Sequence, residues 1–580
     1  MKNIWLTSLM FFVGLLVSFS QAVDDNKDRI EKSGESKHLS NNMLVIPCVG
    51  YNNPDRPDSR GLVLFVDWFS VRAGDVGYGA KGVFLTQNEL ESKGVGHQVD
   101  VPRGVELVVQ EAETYGPVLQ ADKPWEGMLR TASVLRSDFG FKMWYRTLVT
   151  IPEEKMVADD VMAGKIEVAK SVEFLCYAES EDGFTWHKPE LGLYEFDGST
   201  ANNIICEETR EGIGEHTDNI FLDCEGNYRR LVSEGEPVPG GSADKAMYSY
   251  TSTDGIHWTL DGPVMDMMCD TQNNGFYDKL YGKYVLYVRY GRGARRTTAM
   301  TEGSKFNINS LPLPQVIFEP DPQDSPSLDF YTINYSRHPL YDKIDVGDPS
   351  RSSYFMNRDN RGRLNMIRRH DARDMHFMFP SVYHRDRDVI DVQLAISRDG
   401  RQWSRPERKA VIPCGKKDGN VFNSIYAFPE LHTFNSGMWG VMYCASERAH
   451  NMGFVNQKET YKYYWATWEE NRLVALQAKE EGMCTVELTG YSGGPEKEIR
   501  LNYQTEKYGW IRIELISNDG LYPPTGPKII EGYSFTDCDP LVGDSIYQPV
   551  KWNGSPKLPS HANTLRIHMF RAKLFAIEWE

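Results

Sequence analysis

One short motif, which occurs three times, constrains the fold of this chain more than any other feature. The pattern Ser-x-Asp-Gly-x-x-Trp begins at Ser180, Ser252 and Ser397, and each copy follows a stretch with the composition of a β-strand. An Asp-Gly pair is a tight-turn signal, because both residues tolerate a positive φ. We therefore expect each copy to reverse the chain and to place its Trp on the returning strand, where the ring can pack between sheets.

The spacing of the copies predicts a repeated unit of several strands. The first two copies start 72 residues apart (180 to 252), and the third starts 145 residues later (252 to 397), about twice that distance. A degenerate copy over 297–304 falls in the longer gap, and a final unit lies near 463–468. Such units are typical of propeller blades. We predict a five-bladed β-propeller over 111–475, with a β-sandwich that carries a chance motif as the alternative.

The first residues have the pattern of a secretory signal peptide. Lys2 precedes an apolar run over Leu9–Val17, and Ala22 ends a short cleavage site of small residues. The run is too short to span a bilayer. We predict a signal peptide over 1–22, a flexible leader over 23–60, and an exported protein, periplasmic or secreted, without a membrane anchor. A retained anchor is the alternative.

The segments that flank the predicted propeller also have strand patterns. The apolar run Gly61–Val66 predicts that residues 61–110 add strands either to the propeller or to a C-terminal domain. After residue 480, apolar and polar residues alternate, for example over Trp510–Ile516 and Leu565–Phe570, which predicts a β-sandwich over 476–580. The predicted fold class is therefore all-β throughout.

Charge and cysteine content exclude several classes of protein. The net charge is −17, with 64 Lys and Arg against 81 Asp and Glu. A nucleic-acid partner is not expected, because phosphate binding needs clustered basic residues, and an anionic membrane surface is excluded for the same reason. None of the nine cysteines has C-x-x-C spacing, so neither a zinc ribbon nor a redox motif is predicted. Most are expected to be small buried apolar residues.

The motif, the count of five units and the C-terminal sandwich together resemble glycoside hydrolase families 32, 43 and 68. The closest resemblance is to the family-32-like propeller proteins of polysaccharide-degrading bacteria, and it extends to Leu64–Asp67, Trp186–Leu193 and Thr536–Asp544. It implies a secreted enzyme that acts on oligosaccharides of a plant or algal polysaccharide. The chain lacks the W-M-N-D-P-N-G and R-D-P motifs of family 32, so that family's catalytic residues cannot be transferred to it.

Candidate site residues were sought at the first strand of each predicted blade, because these strands line the central funnel. Glycoside cleavage needs two carboxyl groups, one as acid and one as base or nucleophile. The predicted catalytic residues are Glu126, His216, Asp218, Asp270 and Asp329. Arginine binds carboxylates and sulfates well, and aromatic rings stack against sugars. The predicted substrate-binding residues are Trp125, Arg130, Asn273, Arg289 and Tyr331. For each residue taken alone, a structural role is the alternative.

No cofactor is predicted. Asp537, Asp539 and Asp544 are candidate ligands of a structural calcium ion, because calcium is bound by carboxylate oxygens. Their spacing fits no strict motif, and a hydrogen-bonded turn is the alternative interpretation. Three functions stay open at this point. The first is glycoside hydrolysis, and the second is elimination by a lyase or dehydratase on uronic-acid-containing oligosaccharides, with or without sulfate groups. The third is glycan binding without catalysis.

Overall fold

A computed structural model of the 580-residue chain describes most of the sequence beyond residue 60. The described residues are 61–72, 102–150, 171–210, 213–214, 216–270, 272–341, 355–358, 364–367, 372–417, 419–451, 461–488, 497–517, 528–559, 562 and 564–579. The predicted signal peptide and leader lie outside them. The chain divides into a small unit, Met1–Pro47 with Lys416–Asn420, and a large unit, Cys48–Gly415 with Val421–Glu580. Every contact reported below lies within the large unit.

The first half of the described chain is built of strands alone. They are β1 (Gly61–Leu64), β2 (Glu106–Val109), β3 (Glu113–Leu119), β4 (Met128–Ser137), β5 (Gly140–Thr150), β6 (Ser171–Ser180), β7 (Ile204–Glu207), β8 (Thr209–Arg210), β9 (Ile213–Gly214), β10 (His216–Leu222), β11 (Tyr228–Gly235), β12 (Ala246–Ser252), β13 (Thr259–Met265), β14 (Asn274–Asp278), β15 (Lys283–Arg292), β16 (Arg295–Gly303) and β17 (Gln315–Phe318).

The second half adds one 3-10 turn at Ala372–Asp374 to its strands. The strands are β18 (Leu328–Thr332), β19 (Tyr335–Arg337), β20 (Phe355–Arg358), β21 (Leu364–Ile367), β22 (His376–Met378), β23 (Ser381–His384), β24 (Val389–Val392), β25 (Ala395–Ser397), β26 (Gly415–Lys417), β27 (Asn420–Phe422), β28 (Ser424–Ala427), β29 (His432–Thr433), β30 (Met438–Ser446), β31 (Tyr461–Glu469), β32 (Val474–Glu487), β33 (Ile499–Ser517), β34 (Lys528–Ile529), β35 (Asp544–Pro549) and β36 (Thr564–Trp579).

Three successive sheets are antiparallel meanders of four strands. They consist of β4 to β7, β10 to β13 and β14 to β17, each in sequence order. The first strand of the second sheet, β10, lies against both β4 and β14. Side chains of β5 alternate between two buried faces. Met143 and Tyr145 pack in one apolar cluster, while Trp144 packs in another, against the next sheet. The first strands of the three sheets therefore stand side by side.

The N-terminal strand β3 joins the sheet that contains the strands of the last predicted unit. The sheet order is β18-β23-β24-β28-β30-β31-β3, and β3 pairs antiparallel with β31, Glu113 opposite Thr467. This pairing connects the start of the repeat region to its end and covers the edge of β31. The fold of the described residues is thus all-β and propeller-like, while the number of blades stays a prediction.

All three copies of the sequence motif fold in the same way. In the second copy, Oδ1 of Asp254 accepts hydrogen bonds from the backbone N–H of Ile256 and His257, both at 2.8 Å. The Oγ of Ser252 donates to the same carboxylate at 2.9 Å, and equivalent bonds occur in the other two copies. The motif glycines have positive φ, as predicted. The Trp differs from the prediction, since Trp258 stands one residue before β13 begins.

Each motif glycine also joins its sheet to a neighbouring one. The three glycine carbonyls accept hydrogen bonds from aromatic side chains of another sheet: Gly183 from Trp465 at 2.7 Å, Gly255 from Trp144 at 2.6 Å, and Gly400 from Tyr287 at 2.8 Å. A Cβ on Gly255 would lie 2.5 Å from Cζ2 of Trp144. Glycine is therefore required for the positive φ and for the close approach of the next sheet.

The C-terminal strands form one continuous seven-stranded sheet. Its order is β2-β32-β36-β33-β34, with β1 paired to β36 and β35 paired to β33. The strand within Gly61–Val66, which was predicted to join either the propeller or the C-terminal domain, pairs with this C-terminal sheet, with Gly61 opposite Trp579. Its buried cluster includes Ile513, Ile567 and Trp552. The predicted two-layer sandwich stays a prediction.

The cysteines and the acidic residues of the C-terminal segment were considered as possible metal ligands. The eight cysteines within the described ranges are free thiols, and five of them are buried. Asp537 accepts hydrogen bonds from Ser534 and Asp544 pairs with Arg472 at 2.6 Å. In the part of the chain that the structure describes, no group of three or more His, Cys, Asp or Glu side chains is placed to hold a metal ion. Nor do the described residues contain a helix long and apolar enough to cross a membrane.

Candidate functional site

The first strands of the repeat units surround a cavity of about 230 Å³. Residues of β4, β10, β18 and β28 line it, together with Asp270 just before β14, so every predicted unit contributes to its wall. Four of the ten predicted site residues are among the lining residues: Arg130, His216, Asp270 and Tyr331. The other charged or aromatic side chains of the lining are Arg146, Glu234, Tyr426, His450 and Tyr461.

His216 stands between two glutamates at the start of β10. Its Nδ1 lies 3.0 Å from Oε2 of Glu173, and its Nε2 lies 3.7 Å from Oε2 of Glu234. Glu234 is held at the end of β11 with a φ of 61°, and its Oε2 accepts a hydrogen bond from Nζ of Lys245 at 2.6 Å. The imidazole therefore faces a cavity carboxylate on one side and a buried carboxylate on the other.

A buried network of alternating charges forms the floor of the cavity. Arg146 pairs with Glu173 and, through Nε at 2.9 Å, with Glu208, which also pairs with Arg230 at 2.9 Å. Burial alone would raise the pKa of Glu173, but Arg146 and the hydrogen bond with His216 outweigh it, so the pKa lies well below its ordinary value. Burial would lower the pKa of Arg146, yet Glu173 and Glu208 raise it. Charges buried this deeply need such partners. Through its contact with Glu173, the network also holds His216 in place.

Asp270 is the most exposed carboxylate at the cavity, with 49% of its side chain accessible. It forms an ion pair with Arg289, whose guanidinium lies 4.9 Å from the centre of the Tyr331 ring. The backbone N–H of Arg289 donates to Oδ1 of Asn273 at 2.9 Å, and Nδ2 of Asn273 donates to Oδ2 of Asp218 at 2.7 Å. Asp218 is thus connected to Asp270 through two residues instead of lining the cavity itself.

An aromatic wall faces these charged groups. Nδ1 of His450 lies 2.6 Å from the hydroxyl of Tyr426, and its ring meets Tyr331 edge-on with centroids 4.6 Å apart. Burial lowers the pKa of His450 to about 4, against the opposing effect of Asp388. Burial also raises the pKa of Tyr461 to about 12. Both shifts favour the uncharged forms of His450 and Tyr461 at neutral pH.

The six remaining predicted residues all lie outside the cavity lining; Asp218, Asn273 and Arg289 are described above, and the other three are Glu126, Asp329 and Trp125. Glu126 is buried and pairs with Nζ of Lys188 at 2.7 Å. Asp329 is buried between Arg296 and Arg385, at 2.9 and 2.7 Å. The indole N–H of Trp125 donates to Asn203 at 2.8 Å, which places the ring in a packing role. Each of these three side chains thus has a partner within the protein, and their catalytic or binding roles stay predictions.

The sequence contained weak signals for the lining residues that were not predicted. Arg146 is a charged residue directly after the apolar run Met143–Tyr145 of β5, which is the pattern of a buried ion pair. Glu234 ends a strand after the apolar pair Leu231-Val232. His450 lies in a loop after β30 and carries no local pattern at all.

Neither a family model nor a curated protein matches this sequence. Among solved structures, the chain is similar to an N-acetylgalactosamine deacetylase from F. plautii in complex with blood group B trisaccharide, with a TM-score of 0.36 and 11% identity over 63% of this chain and 94% of that one. It is also similar to a glycosyl hydrolase from Bacteroides ovatus (0.36, 11%, 63% and 95%). A third is the β-1,2-mannobiose phosphorylase from Listeria innocua in complex with β-1,2-mannobiose (0.39, 9%, 63% and 97%).

Likenesses with scores this low carry no argument about chemistry. None of the three descriptions names family 32, 43 or 68, so the membership that the motifs predict stays a prediction. Function is therefore argued from the residues that surround the cavity.

Proposed function

We propose that this chain is an exported glycoside hydrolase that cleaves oligosaccharides of a plant or algal polysaccharide in the central cavity of a five-bladed propeller. One observation carries the proposal: two carboxylates, Glu234 and Asp270, line a single cavity together with His216. Two carboxyl groups about a shared cavity are what acid-base cleavage of a glycosidic bond requires. The aromatic wall of Tyr331, Tyr426 and Tyr461 suits the apolar face of a sugar ring.

Asp270 takes the role of base or nucleophile in this proposal. Its ion pair with Arg289 suits a group that acts as a carboxylate, and its exposure leaves one side open to a substrate or a water molecule. Asp218 and Asn273, predicted as site residues, act as positioning residues, because they hold the backbone of Arg289.

Glu234 and His216 serve as the proton-transfer pair on the opposite side. The Nε2 of His216 lies 3.7 Å from Oε2 of Glu234, and a histidine beside a carboxylate can pass a proton to it or take one from it. Glu173 holds the other ring nitrogen. The proton on the pair goes to the oxygen of the departing sugar as its bond to the anomeric carbon breaks. Asp270 either takes a proton from the water that bonds to that carbon, or bonds to the carbon itself and is released by water in a second step.

The rest of the chain supports export and stability in this proposal. Residues 1–22 are the signal peptide, 23–60 the leader, and 476–580 a sandwich that carries no catalytic group. No cofactor is required, and neither a nucleic acid nor a membrane anchor takes part.

The proposal is tested by product release from defined oligosaccharides. Purified protein is incubated with a panel of plant and algal oligosaccharides, and new reducing ends are measured. Glu234→Gln and Asp270→Asn should each abolish release, while Glu225→Gln, in an exposed turn of the same sheet as Glu234, should leave it unchanged. Ultraviolet absorbance of an unsaturated uronate would favour elimination, and binding without any product would favour a binding protein.

A further inference from the structure

We infer that the cavity selects sugars that carry an anionic group, a carboxylate or a sulfate ester, and that Arg130 binds that group. The inference deepens the proposed function and rests on it for the identity of the ligand as a glycan. It follows from the donors that the described residues leave unused at the cavity wall.

Arg130 lies near the start of β4 and faces the cavity with 36% of its side chain accessible. Its contact with Glu173 is long, 3.3 Å from Nη2 to Oε1. Its Nε is buried and has no hydrogen-bond partner among the described residues. A buried guanidinium N–H without an acceptor is costly, so an acceptor supplied by a ligand would stabilise this wall.

Neighbouring groups restrict what Glu173 can offer to Arg130. Glu173 is also paired with Arg146 and hydrogen-bonded to His216, so three cationic or donor groups share one buried carboxylate. Arg130 is the most exposed of them. Its adjacent Nε–H and Nη–H groups form the planar fork that matches two oxygens of a carboxylate or sulfate.

A second arginine close to the cavity also has a buried N–H donor without an acceptor. Arg289 is only 7% accessible, and its Nη1 is buried without a hydrogen-bond partner in the described part of the chain. It stacks against Tyr331, which lines the cavity. One arginine on the cavity wall and a second in contact with the lining residues Asp270 and Tyr331 thus have unused buried donors, which favours an anionic sugar over a neutral one.

The test measures binding separately from cleavage. Saturation-transfer NMR compares methyl glucuronide and methyl galacturonide with methyl glucoside and methyl galactoside, and methyl galactoside 6-sulfate tests the sulfate source. Wild type should bind at least one anionic sugar more tightly than its neutral counterpart. Arg130→Gln should weaken that binding about tenfold or more, as loss of a charged hydrogen bond does, and Arg130→Lys should restore part of it.

Arg136→Gln is the matched control, because Arg136 lies on the same strand but contacts Thr433 and Asn435. It should keep the wild-type preference. Circular dichroism and a thermal melt establish that each variant is folded. Equal binding of charged and neutral sugars by wild type, no binding of any anionic sugar, or an unchanged preference in Arg130→Gln would overturn the inference.

Failure of the proposed function gives a different result. If Glu234→Gln and Asp270→Asn still release product while the anionic preference depends on Arg130, the catalytic assignment is wrong and the inference stands. If cleavage depends on both carboxylates but charged and neutral sugars bind alike, only the inference is wrong.

Discussion

Nδ1 of His216 lies 3.0 Å from Oε2 of Glu173, and this contact joins a cavity residue to a buried charge network. The same glutamate pairs with Arg146, so the position of the imidazole depends on charges that solvent does not reach. Fixing one ring nitrogen directs the other towards Glu234. Catalysis and stability should therefore both respond to changes at Glu173.

Glu173→Gln should destabilise the fold and reduce activity together. The substitution leaves Arg146 with one buried partner fewer, and breaking a buried ion pair costs about 3–5 kcal/mol. Urea unfolding measures the change, with Glu179→Gln as a control at the exposed end of the same strand. A wild-type unfolding midpoint in Glu173→Gln would show that the network is not stabilising.

The lowered pKa of Glu173 predicts how stability depends on acid. Burial opposes the shift, but Arg146 and His216 bring the pKa below its ordinary value of 4.5. A carboxyl with a lowered folded-state pKa stabilises the protein above its unfolded pKa, and that stability is lost as the pH falls through the folded value. Wild type should therefore lose stability below about pH 4.5, and Glu173→Gln should lose less over that range. Parallel acid-unfolding curves of the two proteins would contradict the prediction.

Gly255→Ala tests the contact between neighbouring sheets. The glycine has a φ of 81°, and an added Cβ would lie 2.5 Å from Trp144. Overpacking of this kind costs about 1–3 kcal/mol, in addition to the strain of positive φ. Thermal unfolding measures the loss. Gly291→Ala is the control, because a Cβ there meets no atom within 4 Å. Equal effects of the two substitutions would argue against a structural role of the motif glycine.

Asp218→Asn should slow catalysis less than Asp270→Asn. Asp218 reaches Arg289 through Asn273, and the amide of Asp218→Asn can keep one hydrogen bond to Asn273 if it rotates. The expected result is a partial fall in kcat with little change in KM, together with an altered pH profile. Complete inactivation of Asp218→Asn, with Asp270→Asn still active, would reverse the two assigned roles.

The repeated motif and the strand patterns that flank it were sufficient to predict the all-β class, units of several strands and the turn glycines, because all three depend on local residue patterns. It did not predict that the glycine carbonyls bind aromatic side chains of a neighbouring sheet. Those contacts join residues such as Gly183 and Trp465, which are far apart in the sequence. The placement of the motif Trp before the returning strand was likewise missed, because the Asp carboxylate folds the preceding residues into a compact turn.

The candidate site was only partly predictable. Searching the first strand of each unit was correct for Arg130, His216, Asp270 and Tyr331 as cavity-lining positions. Carboxylates such as Glu126 and Asp329 have equally suitable local sequences, and their cationic partners, which come from other segments of the chain, decide their position. Glu234 and His450 reach the cavity from the end of a strand and from a loop, where no periodic pattern operates.

The most direct test of the central claim is the rate of reducing-end release by Glu234→Gln and Asp270→Asn from an oligosaccharide that wild type cleaves. The account predicts that each variant stays folded, still binds the sugar, and loses about 10²-fold or more of the rate, as removal of a general acid or base does. Wild-type rates in both folded variants would contradict the assignment of these two carboxylates as the catalytic pair.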